Sequence, residues 1–160
     1  MVVRVQEEDF DVGVELMALR HADASIGARI GAIASFIGLV REMNDGNDGS
    51  DGASVSEMTL EYYPGMTEKA LAAIVLEARQ RWNIFDALLI HRVGRLLPNE
   101  QIVLVAVSGA HRAEAFAACE FMVDYLKTRA PFWKREVTST GARWVDAREA
   151  DVEAAARWNI

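Results

Sequence analysis

The chain is 160 residues long, 51% hydrophobic and 26% charged, with 17 Lys+Arg against 24 Asp+Glu and a formal charge of −7. These figures describe one globular domain with enough apolar mass to build its own core, and they exclude a chain disordered along its whole length. They also exclude the broad basic surface of a generic nucleic-acid binder. A single cysteine, Cys119, leaves no intramolecular disulfide and no multi-cysteine zinc site. Acidic residues precede any long apolar run at the N-terminus, unlike a secretory signal, and the most membrane-like stretch, Gly31 to Val40, is about half a spanning helix. The expectation is a soluble cytoplasmic protein.

In chain order, Val2 to Val5 reads as a first strand and Asp11 to Arg20 as a short helix. Ala28 to Val40, rich in β-branched and small residues, predicts a buried strand. Asn44 to Ser54 (NDGNDGSDGAS) offers nothing to a core and repeats Asp-Gly, which predicts a flexible surface loop. The calcium-loop pattern fails there: from Asp45 the fifth position is Gly49, and from Asn47 no Glu falls at position twelve. Val55 to Tyr63 alternates and predicts a strand paired with the preceding one.

Pro64-Gly65 stops that strand, and Thr67 is the expected N-cap of a helix through Trp82. Leu71, Ile74, Val75, Ala78 and Trp82 fall on one face of it. Phe85 to Leu97 and Gln101 to Ser108, joined at Pro98-Asn99, predict two further strands. A second long helix is expected from Gly109 to Thr128, with Ala115, Cys119, Met122 and Leu126 as its apolar stripe. Pro131 ends it, and Phe132 to Thr138 with Arg143 to Val145 predict a hairpin around Gly141. This order predicts a single-domain, two-layer α/β (α+β) protein with a mainly antiparallel sheet.

The charge is unevenly placed. Lys127, Arg129, Lys134 and Arg135 stand between Tyr125 and Arg135 with no acidic residue, leaving 13 basic and 24 acidic residues elsewhere. Such an island attracts an anion while the remainder stays acidic. Helix-end chemistry accounts equally well for Lys127 and Arg129, since cations are favoured at a helix C-terminus. Pro131-Phe132-Trp133 between the basic pairs adds apolar bulk that can desolvate a lysine and make its amine usable as base or nucleophile. Ser108-Gly109-Ala110-His111-Arg112 forms a strand-to-helix turn of the kind that holds a phosphate or carboxylate, or a plain capped helix start with two exposed polar side chains. Arg41 follows an apolar strand and opens the Asp/Gly-rich loop, where a ligand contact or a solvated charge is expected. Cys119 falls on the helix stripe and reads as a packing residue, and His91 and His21 have no spaced partners for a metal or a triad. No dinucleotide fingerprint, P-loop or G-x-S-x-G is present, and no metal or cofactor is assigned. Composition and spacing alone support an anion site made of lysines and arginines.

Longer motifs go further. Leu60-Glu61-Tyr62-Tyr63-Pro64-Gly65-Met66, His91-Arg92-Val93-Gly94, Ala110-His111-Arg112, and the run Asp124-Tyr125-Leu126-Lys127-Thr128-Arg129-Ala130-Pro131-Phe132-Trp133-Lys134-Arg135-Glu136 resemble the large, catalytic subunit of molybdopterin synthase. The resemblance extends from about Gly31 to Trp158. It implies an α/β hammerhead fold and a sulfurtransferase. The family's donor is a small ubiquitin-like subunit carrying a thiocarboxylate on a C-terminal Gly-Gly tail, and its acceptor is cyclic pyranopterin monophosphate, which becomes the molybdopterin dithiolene. It implies a homodimer of large subunits within a heterotetramer.

Carried onto this chain, the resemblance makes Lys127 the leading catalytic residue, as acid/base or transient covalent partner, and gives Lys134 the developing negative charge. Arg41, His111, Arg112 and Arg135 would hold the pterin phosphate, some of them across the dimer interface, with Arg148 a weaker candidate. Glu136 orients Lys134 or Arg135, or forms a surface salt bridge. Leu39 departs from the pattern, standing where some relatives carry a lysine, and the 44–54 insert is longer than the family implies. Two other readings compete: a non-catalytic dimeric module that holds an acidic peptide tail, and a metal-free phosphatase or esterase, which lacks a recognisable nucleophile.

Overall fold

The computed structural model describes residues 1–42, 54–145 and 149–159. The predicted loop at 44–54 lies almost wholly outside them, as does Arg148. The described elements are β1 (Val2–Gln6), α1 (Val12–His21), α2 (Ala24–Gly27), β2 (Ala32–Leu39), β3 (Val55–Tyr62), α3 (Met66–Arg81), β4 (Ile84–Arg92), β5 (Gly94–Leu96), β6 (Gln101–Gly109), α4 (Arg112–Arg129), β7 (Phe132–Thr138), β8 (Gly141–Val145) and α5 (Glu149–Ala156). The strands form two four-stranded sheets, ordered β1-β4-β6-β2 and β5-β3-β7-β8. Every pairing is antiparallel except β1 with β4. The expected mixed, mainly antiparallel architecture is therefore present, with its strands shared between two sheets.

Alternation along β4 and β6 explains why helices flank both faces of the first sheet. Ala87 and Leu89 of β4 and Val103, Val105 and Val107 of β6 join Leu71, Ile74, Val75 and Ala78 of α3 and the buried side of α4 in one core. The intervening Leu88, Ile90, Leu104 and Ala106 meet Phe10 and Leu19 at α1. The second sheet has its own apolar face, where Met58 and Leu60 of β3 and Leu96 of β5 pack with Val40. The expected stripe on α4 is buried, but Ala118, Phe121 and Tyr125 are buried with it. A helix contacting the sheet, α3 and α5 together needs an apolar arc wider than one stripe.

Four local expectations need correction. β3 does not pair with β2; its partners are β5 and β7, while β2 pairs with β6 from Ala32↔Gly109 to Leu39↔Gln101. Met58 and Leu60 find their apolar surface in the second sheet, and that decides the pairing. Thr67 is not the N-cap of α3. Gly65, at φ 80°, takes that place, and Glu68 accepts its N–H at 2.7 Å. The fully buried Thr67 hydroxyl instead accepts from Tyr63 N–H at 3.1 Å and donates to the Pro131 carbonyl at 3.0 Å. This ties the start of α3 to the connection after α4. The long strand expected over Phe85 to Leu97 is broken after Arg92, where Gly94 adopts a φ of 79° open to glycine without strain. The fourth correction is α5, read from the sequence as no element at all, although EADVEAAA is made largely of strong helix formers.

Candidate functional site

β7 runs Phe132, Trp133, Lys134, Arg135, Glu136, and its alternation sends the odd-numbered residues to the outer face. Phe132, Lys134 and Glu136 turn inward and line a cavity of about 570 Å³ between the two sheets. Phe36 to Leu39 form one wall, since β2 is an edge strand with Phe36, Ile37 and Leu39 exposed and not the buried strand expected from its apolar composition; Met58 and Leu60 of β3 form another, and Val123, Leu126 and Lys127 in the last turns of α4 a third. Arg41, at the end of β2, and Asp151, on α5, stand at its margin, and His91 at the end of β4 completes the lining.

Both lysines are oriented by carboxylates. Lys127 Nζ lies 3.1 Å from Asp151 Oδ1, with the lysine side chain half exposed. Lys134 Nζ lies 3.1 Å from Glu136 Oε1, and Arg143 reaches the other carboxylate oxygen at 3.5 Å. Glu136 is 2% exposed, so it is no surface salt bridge; of its two expected partners it holds Lys134. Glu136 thus meets two cations from inside the protein, and its contact with Lys134 fixes where that ammonium sits. The apolar residues of the Pro131–Trp133 run act unequally. Phe132 enters the cavity wall, whereas Trp133 is 47% exposed on the opposite face.

The basic island therefore separates in space. Lys127 and Lys134 share the cavity. Arg129 pairs with Glu77 at 3.0 Å and lies 3.5 Å over the Tyr125 ring, a structural use of its charge. Arg135 points outward, with Thr59 and Trp144 as its strand partners. His111 and Arg112 sit at the start of α4, exposed, with no side-chain cap bond from His111. Lys127 is at the other end of the same helix, about 22 Å away along its axis at 1.5 Å per residue. Within one chain, then, Arg41, Lys127 and Lys134 converge, while His111, Arg112 and Arg135 face elsewhere.

Sequence reasoning missed two contributors. Asp151 was hidden because α5 went unread. His91 has no spaced partners in the sequence for a metal or a triad, yet it is 7% exposed and stacks on Phe132 with ring centroids 4.0 Å apart. Its signal was present in the strand period: Ala87, Leu89 and His91 fall on one face of β4, and that face ends at the cavity. Burial pushes the His91 imidazole down to about 4, opposed in part by its bond to the Arg92 carbonyl.

That depression has a sign. The unfolded chain takes a proton at this histidine below the ordinary value of 6.5, and the folded chain does not until about 4. The stability it brings is complete above pH 6.5 and is lost as pH falls toward 4, about 3 kcal/mol in full. Urea midpoints at pH 7.5 and 4.5 are expected to separate more in the wild type than in His91→Phe. Equal separations in the two proteins would contradict this origin.

Cys119 is buried, 3.9 Å from the Val105 carbonyl, and burial pushes its thiol up to about 11. It is a packing residue, as expected, and lies outside the cavity lining. Among the described residues no group of His, Cys, Asp and Glu is arranged to hold a metal, and no helix is long and apolar enough to cross a membrane.

Comparison with known proteins gives the chain its relatives. The family described as MoaE protein matches residues 5–129. The molybdopterin synthase catalytic subunit of Ralstonia nicotianae is 63% identical over 158 residues, covering 99% of this chain and 84% of that protein. Among solved structures, the molybdopterin biosynthesis MoaE protein from Burkholderia ambifaria superposes with a TM-score of 0.81 at 51% identity, over 99% of this chain and 98% of that one. Molybdopterin synthase from Staphylococcus aureus superposes with a TM-score of 0.75 at 30% identity, over 89% and 95%.

Proposed function

Because the chain belongs to the MoaE family of molybdopterin synthase catalytic subunits, we propose that its cavity carries sulfur from the C-terminal thiocarboxylate of a small ubiquitin-like subunit to cyclic pyranopterin monophosphate. The observation that carries this reading is the convergence of Lys127, Lys134 and Arg41 on one cavity of an otherwise acidic protein. The donor and the acceptor are both anions, and each requires cations to enter. The chain's own sulfur is unsuited to the task, since the Cys119 thiol is buried and its proton held tightly. An external donor meets that need.

The residues divide the work by position. Lys127, half exposed at the end of α4, is reachable by an incoming tail and serves as acid/base or transient covalent partner. Lys134, held by the buried Glu136, is the preorganised cation that stabilises negative charge developing on the reacting groups. Arg41 binds phosphate at the margin. His111 and Arg112 lie too far along α4 to join them within one chain, so they complete a cavity only when a second copy presents the start of its own α4. This supports a dimer of large subunits with a small subunit at each cavity.

The test is reconstitution. Purified protein with cyclic pyranopterin monophosphate is expected to form no molybdopterin until thiocarboxylated small subunit is added. Product without a donor subunit, or tail binding without conversion, would overturn the reading, the second result leaving a non-catalytic binding module. Mixing Lys127→Ala with Arg112→Ala protein is expected to restore part of the activity, because each mixed dimer rebuilds one complete cavity. No recovery in such mixtures would confine the phosphate contacts to a single chain.

A further inference from the structure

His91 offers the cavity a kind of contact that its charged residues cannot. Its ring is enclosed between β4 and β7 and stacked on Phe132 at an interplanar angle of 21°. Nδ1 lies 2.7 Å from the Arg92 carbonyl oxygen. A carbonyl only accepts, so Nδ1 carries the proton and Nε2 keeps a bare lone pair. No hydrogen bond to Nε2 is formed by any described residue. Among the described residues, the fully enclosed side-chain nitrogen or oxygen atom without a partner is Arg4 Nε. His91 Nε2 is therefore not sealed in protein; it opens on the cavity that the residue lines.

The remaining polar groups there are of other kinds. Lys127, Lys134 and Arg41 are donors only. Asp151 and Glu136 are committed to the two lysines. Phosphate and thiocarboxylate are acceptors, which the cations satisfy. A pterin also presents ring N–H and amino groups, which are donors on an aromatic ring edge and call for a flat wall and an acceptor not already paired with a cation. The stacked His91–Phe132 pair supplies that wall and that acceptor together.

Building on the sulfur-transfer reading, we propose that His91 is a substrate-binding residue whose Nε2 accepts a hydrogen bond from an N–H of the pterin ring. The Arg92 carbonyl is its positioning partner: by holding the proton on Nδ1 it keeps Nε2 an acceptor. An analogue that keeps the phosphate but replaces that donor with an acceptor then faces two lone pairs, and the site rejects it.

Two measurements test this. In the reconstituted synthase, His91→Phe keeps the ring and its stacking but removes both nitrogens. It is expected to raise KM for cyclic pyranopterin monophosphate about tenfold or more, with kcat within about threefold. His91→Gln, which returns an uncharged acceptor, is expected to recover most of that loss. An unchanged KM in His91→Phe, or a loss in kcat alone, would overturn the assignment. The second measurement needs neither variant to fold nor any turnover. In wild-type protein labelled with ¹⁵N-histidine, the Nε2 resonance of His91 starts at the unprotonated-nitrogen position and is expected to shift on adding the cyclic pterin phosphate alone. No shift overturns the proposal, and so does a shift that appears only with the small subunit, since the donor would then be a tail amide. Wild-type protein that gives the pterin-dependent shift but makes no molybdopterin supports the His91 contact and refutes the sulfur-transfer reading.

Discussion

Lys127→Ala is expected to lower the turnover of the reconstituted synthase by about a thousandfold while leaving the protein folded and able to bind its small subunit. The activity estimate follows from the role proposed for Lys127 in proton transfer or covalent chemistry, a kind of contribution worth about 10²–10⁴-fold. The stability estimate follows from exposure. The Lys127 side chain is half exposed and its pairing with Asp151 is an isolated ion pair, worth about 0–1 kcal/mol. Lys127→Arg separates charge from chemistry. An arginine keeps the cation at the end of α4 but never yields a neutral amine, so its turnover is expected to stay within about tenfold of the alanine variant. Near-wild-type turnover in Lys127→Arg would reduce the residue to an anchor for anions, and near-wild-type turnover in Lys127→Ala would remove it from the mechanism. Single-turnover assays with the thiocarboxylated subunit in excess distinguish these outcomes.

Phe121→Ala is expected to be the costliest substitution for the fold. Phe121 is fully buried, with its ring centroid 4.2 Å from Tyr125, 5.2 Å from Trp82 and 5.7 Å from Trp158. The Arg81 guanidinium lies 4.9 Å over it. The ring thus joins α4 to the end of α3 and to the chain just past α5. Its removal leaves a cavity bounded by three rigid aromatics that collapse poorly, which places the loss at about 3–5 kcal/mol, or roughly 10 °C in Tm for a chain of this size. Phe121 is absent from the cavity lining, so protein that remains folded at low temperature keeps its turnover. A loss below about 1 kcal/mol in urea titration would show that the aromatic cluster does not hold these segments together.

The two predictions separate what was readable in advance from what was not. Lys127 and Lys134 stand in a motif that marks them in the sequence, and the burial of the α4 stripe and of Cys119 follows from helical spacing. Phe121 carries no such mark. It becomes the centre of a cluster because Trp82 and Trp158, far from it in the chain, are brought to it by the docking of α3 and of the segment after α5. The strand boundaries were legible wherever alternation was strong. The partner of β3 was not, because alternation states which residues are buried and not against what.

By itself, the sequence determined the fold class, the family and the location of positive charge in an acidic chain, and it singled out Lys127 and Lys134 as candidates. These depend on local period, composition and contiguous motifs. Only the tertiary structure decided how that charge is used. Strand alternation turns Lys134 into the cavity and Arg135 out of it, although they are neighbours in sequence. The length of α4 puts Arg112 and Lys127 at opposite ends of one rigid rod. Helix α5 delivers Asp151 to Lys127, and the end of β4 delivers His91 to the same cavity. The reason is common to all four. A side chain's direction and its non-local neighbours depend on how elements pack, and no contiguous stretch of residues records that.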